Sequence, residues 1–282
     1  MSRAAASHAA SIGVSGALSF AVGDIIADVA GWQAPFLMAT VTSVIAFGMI
    51  ALLAPRQATK PKSDKSHAMF DFRPVIRNRS AMAYAFVYAM HTLEMSAVRG
   101  WGVAFLGYVA LKDGGGGNAT VSPAIIVTVL ALLGTIASIG GNEASIRFGR
   151  RRLIKTAVGA SIIFALLTGF FGTYSYLMAT VLLFAYGFSI WLDSSSLTAG
   201  TAGTAEPSRR GATLAVHSML GYAGGFVGPL IVGLVLDWSG GMSPAGWSAA
   251  FGALAGCMLV ALIVFWLINP HELAGDSQGG QA

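Results

Sequence analysis

His217–Phe251 reads HSMLGYAGGFVGPLIVGLVLDWSGGMSPAGWSAAF: a glycine-punctuated apolar run, a polar turn, and the opening of a second apolar run. The chain begins in the same way, for His8–Phe36 reads HAASIGVSGALSFAVGDIIADVAGWQAPF. Without a gap, His8 pairs with His217, Gly16 with Gly225 and Asp28 with Asp237. After an insertion in the second copy, Ala30-Gly31-Trp32 meets Ala245-Gly246-Trp247, and Phe36 and Pro55 meet Phe251 and Pro270. Matches at Gly or Ala carry little weight in so Gly- and Ala-rich a chain. Matches at His, Trp, Asp and Pro carry more, and an internal repeat of this kind constrains the fold before any single element does.

Charged residues are 10% of the chain and hydrophobic ones 55%, whereas a typical soluble domain carries about 25% charged residues. One soluble core of this size does not bury that many apolar side chains, so a bilayer is the natural solvent. The single cysteine, Cys257, excludes an intrachain disulfide and any multi-cysteine metal site. Nothing reads as a cleavable signal, because the first apolar run lacks a basic leader and is rich in Gly and Ser.

Eight apolar runs have the length of a membrane-crossing helix, at about 11–29, 35–54, 80–110, 121–140, 153–172, 176–197, 213–237 and 246–268. Only helices and closed barrels satisfy their backbone in lipid, and runs this long without alternation are helices. The expected fold class is therefore an all-α membrane protein of about eight transmembrane helices. Of the 17 Lys and Arg residues, all but Lys112 and Arg99 fall in one alternate set of loops. That bias predicts a cytoplasmic location for those loops and for both termini, in a bacterial-type inner membrane. The net charge of +5 is then topological, and a nucleic-acid partner has no support.

Spans one and two correspond through the repeat to spans seven and eight, and spans three to eight form a six-helix unit. The predicted organisation is thus 1–54 as the last two helices of an N-terminal bundle and 55–79 as a basic cytoplasmic linker. Residues 80–268 then form a complete six-helix C-terminal bundle, with 269–282 as a cytoplasmic tail. Phe70, Phe72, Val75 and Ile76 in the linker suit the headgroup region beside Arg73 and Arg77, or else a solvated tether. On this arithmetic the chain begins four helices late, and a missing or separately encoded N-terminal helical segment is an expected partner.

The loop after span four contains Arg147-Phe-Gly149-Arg150-Arg151. It resembles the cytoplasmic signature of the major facilitator superfamily, G-x-x-x-D-R-x-G-R-R/K. Arg210-Gly211 before span seven and Gly228-Pro229 within it also resemble that family's eleventh helix. The resemblance covers essentially the whole chain as the fifth to twelfth of twelve helices, a partial form of that fold. It implies alternating access, in which two bundles rock about a midplane site. Aligning on Gly149 puts Asn142 at the signature's first Gly and Ile146 at its Asp. A gating role for Arg147, Gly149, Arg150 and Arg151 stands beside a purely topological one.

Span three carries the residues most costly in lipid. Tyr84, Tyr88, His91, Met95 and Arg99 share one helical face, with Glu94 flanking it. Ionisable groups at membrane depth usually face a cavity or a partner. His91 and Glu94 are candidates for a proton or substrate site, with Arg99 as counter-ion or anion ligand. The structural alternative is a Glu94–Arg99 or His91–Glu94 pair locking helices together. The resemblance adds that the family's seventh and tenth helices, here spans three and six, line the central cavity. Tyr186, Trp191 and Asp193 in span six are then further candidates, although interfacial solvation also accounts for Asp193. Asp24 in span one has no acid at its repeat position, Gly233, and joins the candidates.

Gly221, Gly225 and Gly228, with Gly224 and Gly233, permit close helix contact, either as a sliding interface or as static packing. Gly13-Val14-Ser15-Gly16 and His217-x-x-x-Gly221-x-x-x-Gly225 imitate segments of the rhomboid intramembrane proteases. The repeat explains them more simply, since His217 has a twin at His8 and reads as scaffold. No zinc, phosphate-loop or dinucleotide motif appears, so neither an enzyme, a metal nor a cofactor is expected. The expected function is secondary active transport of a small solute, coupled to protons. The competing expectation is a truncated, non-transporting or accessory membrane protein.

Overall fold

The computed structural model describes residues 72–114, 121–273 and 276, together with 29–53 and scattered positions between 11 and 27. These divide into two compact units, one within Ser15–Asp71 and the other built on Phe72–Ala282. The smaller unit contains α1 (Ala34–Leu53), which is apolar all round and buries none of its residues. In the larger unit a short α2 (Arg73–Arg77) leads into α3 (Arg79–Lys112), followed by α4 (Pro123–Phe148) and α5 (Arg150–Phe171). Next come α6 (Tyr176–Leu192), α7 (Ser194–Thr204), α8 (Arg210–Trp238) and α9 (Pro244–Ile268).

The helix starts are written locally. Ser122, Ser175 and Ser243 each accept a backbone N–H of the first turn of α4, α6 and α9, and Pro123 and Pro244 stand where no N–H is needed. Asn78 caps α3 through Ala81 and also donates to the Thr204 carbonyl at 2.8 Å, joining the start of α3 to the end of α7. Between α4 and α5 the chain turns at Gly149, whose φ of 93° favours a residue without a Cβ.

Six helical segments among the described residues are long and apolar enough to cross a membrane. They are α1, α4, α5, the α6–α7 run, α8 and α9, each matching a predicted span. Of the two remaining predicted spans, the first lies partly outside the described residues. The third forms α3, at 34 residues the longest helix described, yet too polar to qualify by composition. Its position explains why. α3 packs against α4, α6, α7, α8 and α9, so its polar groups face protein. The lipid-type surface lies elsewhere: Phe226, Trp266 and Leu177 are among many large apolar side chains left exposed.

Two apolar clusters hold the bundle. Toward the end remote from the basic loops, Trp247 is buried edge-on against Phe105 at 5.0 Å and beside Phe251. At the basic end, Tyr84, Ile154, Leu197, Met258 and Phe265 pack together. The glycine stripe forms the α3–α8 contact. A Cβ on Gly224 or Gly228 would overlap the backbone carbonyl of Ala89 or Leu93, and one on Gly221 would meet the Tyr88 ring. Gly225 is looser, with Ser96 Oγ at 3.1 Å. The helices approach this closely because backbone meets backbone where side chains are lacking.

The residues after α9 fold back on the basic end. Asn269, in the left-handed conformation, ends the helix. His271 then accepts from Tyr84 Oη at 3.0 Å through its carbonyl, and its N–H donates to Ser80.

Candidate functional site

Four buried ionisable or phenolic groups from α3, α6 and the α6–α7 joint meet in two pairs. His91 Nδ1 lies 3.0 Å from Asp193 Oδ1, an ion-pair distance whose direction is off the line of an N–H hydrogen bond. Tyr186 Oη donates to Glu94 Oε1 at 2.8 Å, while Glu94 Oε2 has no partner among the described residues. His91, Glu94, Tyr186 and Asp193 are each at most 2% exposed. Neither expected pairing forms. His91 takes Asp193 rather than Glu94, and Glu94 takes Tyr186 rather than Arg99.

Asp193 is buried at 2% exposure rather than solvated, as its serine-rich neighbourhood allowed. The span runs on to Thr204, so that Asp193 interrupts a 29-residue segment instead of ending it. The Ser/Thr run stays helical because its hydroxyls bond back one turn: Thr201 to Leu197 O at 3.0 Å and Thr204 to Gly200 O at 2.8 Å. Ser138 and Ser195 join hydroxyls at 2.6 Å across α4 and α7. These groups satisfy one another inside the bundle, where solvent would otherwise be required.

His217, read from the repeat as scaffold, belongs beside this cluster. Its ring stacks on Tyr88 with centroids 3.9 Å apart, and Tyr88 lies 5.8 Å from the His91 ring. Both ring nitrogens meet threonines, Nδ1 with Thr201 at 3.1 Å and Nε2 with Thr198 at 3.3 Å. With Thr201 already donating to its own helix, Nδ1–H is the donor to Thr201 in this arrangement. Nothing is left over for a serine dyad. The missed signal was the i, i+3 spacing of Thr198 and Thr201, which sets two hydroxyls on one face of α7.

The other candidates scatter. Tyr84 is fully buried but sits at the basic end against Phe265 and over Gly200. Arg99 is half-buried and lines a cleft with Met95, Leu130 and Trp191. Trp191 is seated against Gly134, where a Cβ would overlap the indole ring. Asp24 lies outside the described residues.

Of the signature residues, Arg147 is exposed. Arg150 is fully buried, with a bidentate pair to Asp276 at 2.8 and 3.2 Å and a bond to Ser196 O. Glu272 accepts the backbone N–H groups of Arg150 and Arg151, and so caps α5 from a distance in sequence. Arg150 and Arg151 therefore do more than orient the chain. They bind the segment after α9 to the start of α5.

No three His, Cys, Asp or Glu side chains converge on a metal-sized site among the described residues. What the central cluster can do is hold and exchange protons, because an imidazole–carboxylate pair and a phenol–carboxyl pair are buried together. Apolar rods with such pairs enclosed at mid-length make a multi-pass membrane protein. The family model of the Major Facilitator Superfamily matches residues 1–199 and again 117–282, which together span the chain, and the protein belongs to that superfamily, whose members are typically transporters rather than enzymes. The resemblance carried by the Arg147–Arg151 loop is thereby borne out. No curated protein matches the chain.

Proposed function

We propose that this protein is a gradient-driven secondary carrier in which His91–Asp193 and Glu94–Tyr186 exchange the coupling proton. The observation that carries the reading is the burial of both pairs between α3 and the α6–α7 segment, with Asp193 at the break between α6 and α7. A discontinuous helix at membrane depth is where carriers place their sites. Movement of α6 or α7 against α3 separates His91 from Asp193 and changes which group holds the proton. Protonation and conformation are coupled through that contact. The Lys/Arg bias supports placing the basic end, and with it the Arg150–Asp276 network, on the cytoplasmic side of a bacterial inner membrane.

The test is uptake of a panel of labelled small solutes into proteoliposomes under an inward proton gradient. At least one solute accumulates with the unaltered protein and stops accumulating when the gradient is collapsed. His91→Ala, Asp193→Asn and Glu94→Gln each abolish that uptake while reconstituting to the same level. Normal gradient-driven uptake by all three variants refutes the proposal. A well-folded protein that moves no solute at all favours an accessory role in the membrane.

A further inference from the structure

Between the two ends of α3, at Arg79 and Lys112, the charged side chain that the paired cluster does not absorb is Arg99. The two buried acids nearest to it in the sequence pattern are spoken for, Glu94 by Tyr186 and Asp193 by His91. Arg99 itself makes no hydrogen bond or ion pair among the described residues. It lies eight residues beyond His91, about 12 Å further along the helix, half-buried and away from the basic loops. A guanidinium held at that depth is costly unless an anion or water meets it.

Its surroundings specify the anion further. The cleft is walled by Met95 and Val98 of α3, Leu130 of α4, and Gly187 and Trp191 of α6. Every wall but Arg99 is apolar or aromatic. Its free interior of about 20 Å³ admits roughly one water-sized group in this conformation, so the cleft must widen to take a carboxylate head. The planar guanidinium fork matches a carboxylate in two parallel hydrogen bonds, and the indole of Trp191 offers a flat face to an apolar body. Gly134 gives Trp191 its seat, since any side chain there would displace the ring.

We infer that Arg99 and Trp191 form an anion-binding subsite that takes the carboxylate of a small amphipathic monocarboxylic acid. The inference rests on reading this protein as a carrier and names the class of its solute. Proton coupling and an anionic solute fit together, because a carboxylate entering with a proton crosses without net charge.

The probe is benzoate, compared with its neutral isostere benzamide and with chloride, on the purified full chain in nanodiscs. Thermal stabilisation and quenching of tryptophan fluorescence are the readouts. Benzoate is expected to stabilise the protein and quench its fluorescence, while benzamide and chloride do neither. Arg99→Gln weakens benzoate binding by roughly ten- to a hundred-fold, the loss of a charge-assisted pair, and Arg99→Lys loses less. Trp191→Phe weakens it while retaining the preference for carboxylate over amide. Equal effects of benzoate and benzamide, equal binding by Arg99→Gln, or no response to benzoate overturns the subsite. A response to chloride as large as that to benzoate overturns the organic assignment.

Asp193→Asn separates the two readings. Retained benzoate binding with normal gradient-driven uptake by that variant leaves the subsite standing and removes the coupling scheme. Gradient-driven uptake of a neutral or cationic solute by the unaltered protein, lost in Asp193→Asn and without benzoate binding, does the reverse.

Discussion

Gly228→Ala is the sharpest perturbation of this fold, because the same substitution elsewhere in the bundle should have the opposite sign. The Cβ it adds would overlap the Leu93 carbonyl oxygen and lie 2.8 Å from the carbonyl carbon. Non-bonded carbons settle at about 3.5–4.0 Å, so α8 must retreat from α3 by roughly 1 Å. Backbone cannot rotate aside as a long side chain does. The retreat stretches two bonds that cross the interface, Thr92 Oγ1 to Gly221 O at 2.7 Å and Trp101 Nε1 to Pro229 O at 2.9 Å. Overpacking costs about 1–3 kcal/mol, and the weakened bonds add up to about 1 kcal/mol each, for a total loss of about 1–5 kcal/mol.

Gly252 and Gly256 of α9 have nothing within 4 Å of an added Cβ. Alanine there should stabilise by about 0.5–1 kcal/mol, the helix-propensity gain alone. Thermal unfolding of the purified variants in one detergent measures both. Gly228→Ala melting no lower than Gly252→Ala refutes the close α3–α8 contact. The same interface also bears on function. His217 and Tyr88 sit across it, so a displaced α8 should disturb the central cluster as well.

Two further outcomes follow from the basic end. Asp276→Ala strands Arg150, whose side chain is 0% exposed, and should cost about 3–5 kcal/mol, the penalty for breaking a buried pair. Glu272→Gln weakens a pair exposed by 34% and 25% and replaces one of the two oxygens that cap α5 by a donor, and should cost about 1–2 kcal/mol. Equal melting temperatures for these two variants would show that the Arg150 pair does not hold the segment. Asn142 is fully buried with neither amide atom bonded among the described residues. Asn142→Ala removes those orphaned groups and should leave the melting temperature unchanged or raise it, whereas a fall of more than about 1 kcal/mol would reveal a bonded amide.

Composition and the hydropathy pattern determined the class of this protein and most of its spans, and the Arg147–Arg151 loop carried the resemblance to its family. Those properties are local or cumulative: apolar length decides which segments enter lipid, and glycine spacing decides which helix allows close approach. His91, Glu94 and Asp193 also stood out in the sequence, because ionisable side chains at membrane depth are rare and costly wherever they pair. Their partners did not. Which acid meets His91 depends on helices a hundred residues apart in the chain, and no periodicity reports that distance.

The serine-rich run after Asp193 resembled a helix end because hydroxyls usually seek water or caps. Only its burial against α3 and α4 shows Ser195 bonding to Ser138 and the following threonines bonding back to their own helix, while Ser196 Oγ has no partner among the described residues. His217 was likewise assigned by its twin in the repeat, while its role is decided by Tyr88, Thr198 and Thr201. Tertiary structure settled the pairing because a repeated motif fixes a residue's place along a helix and says nothing of what packs against it.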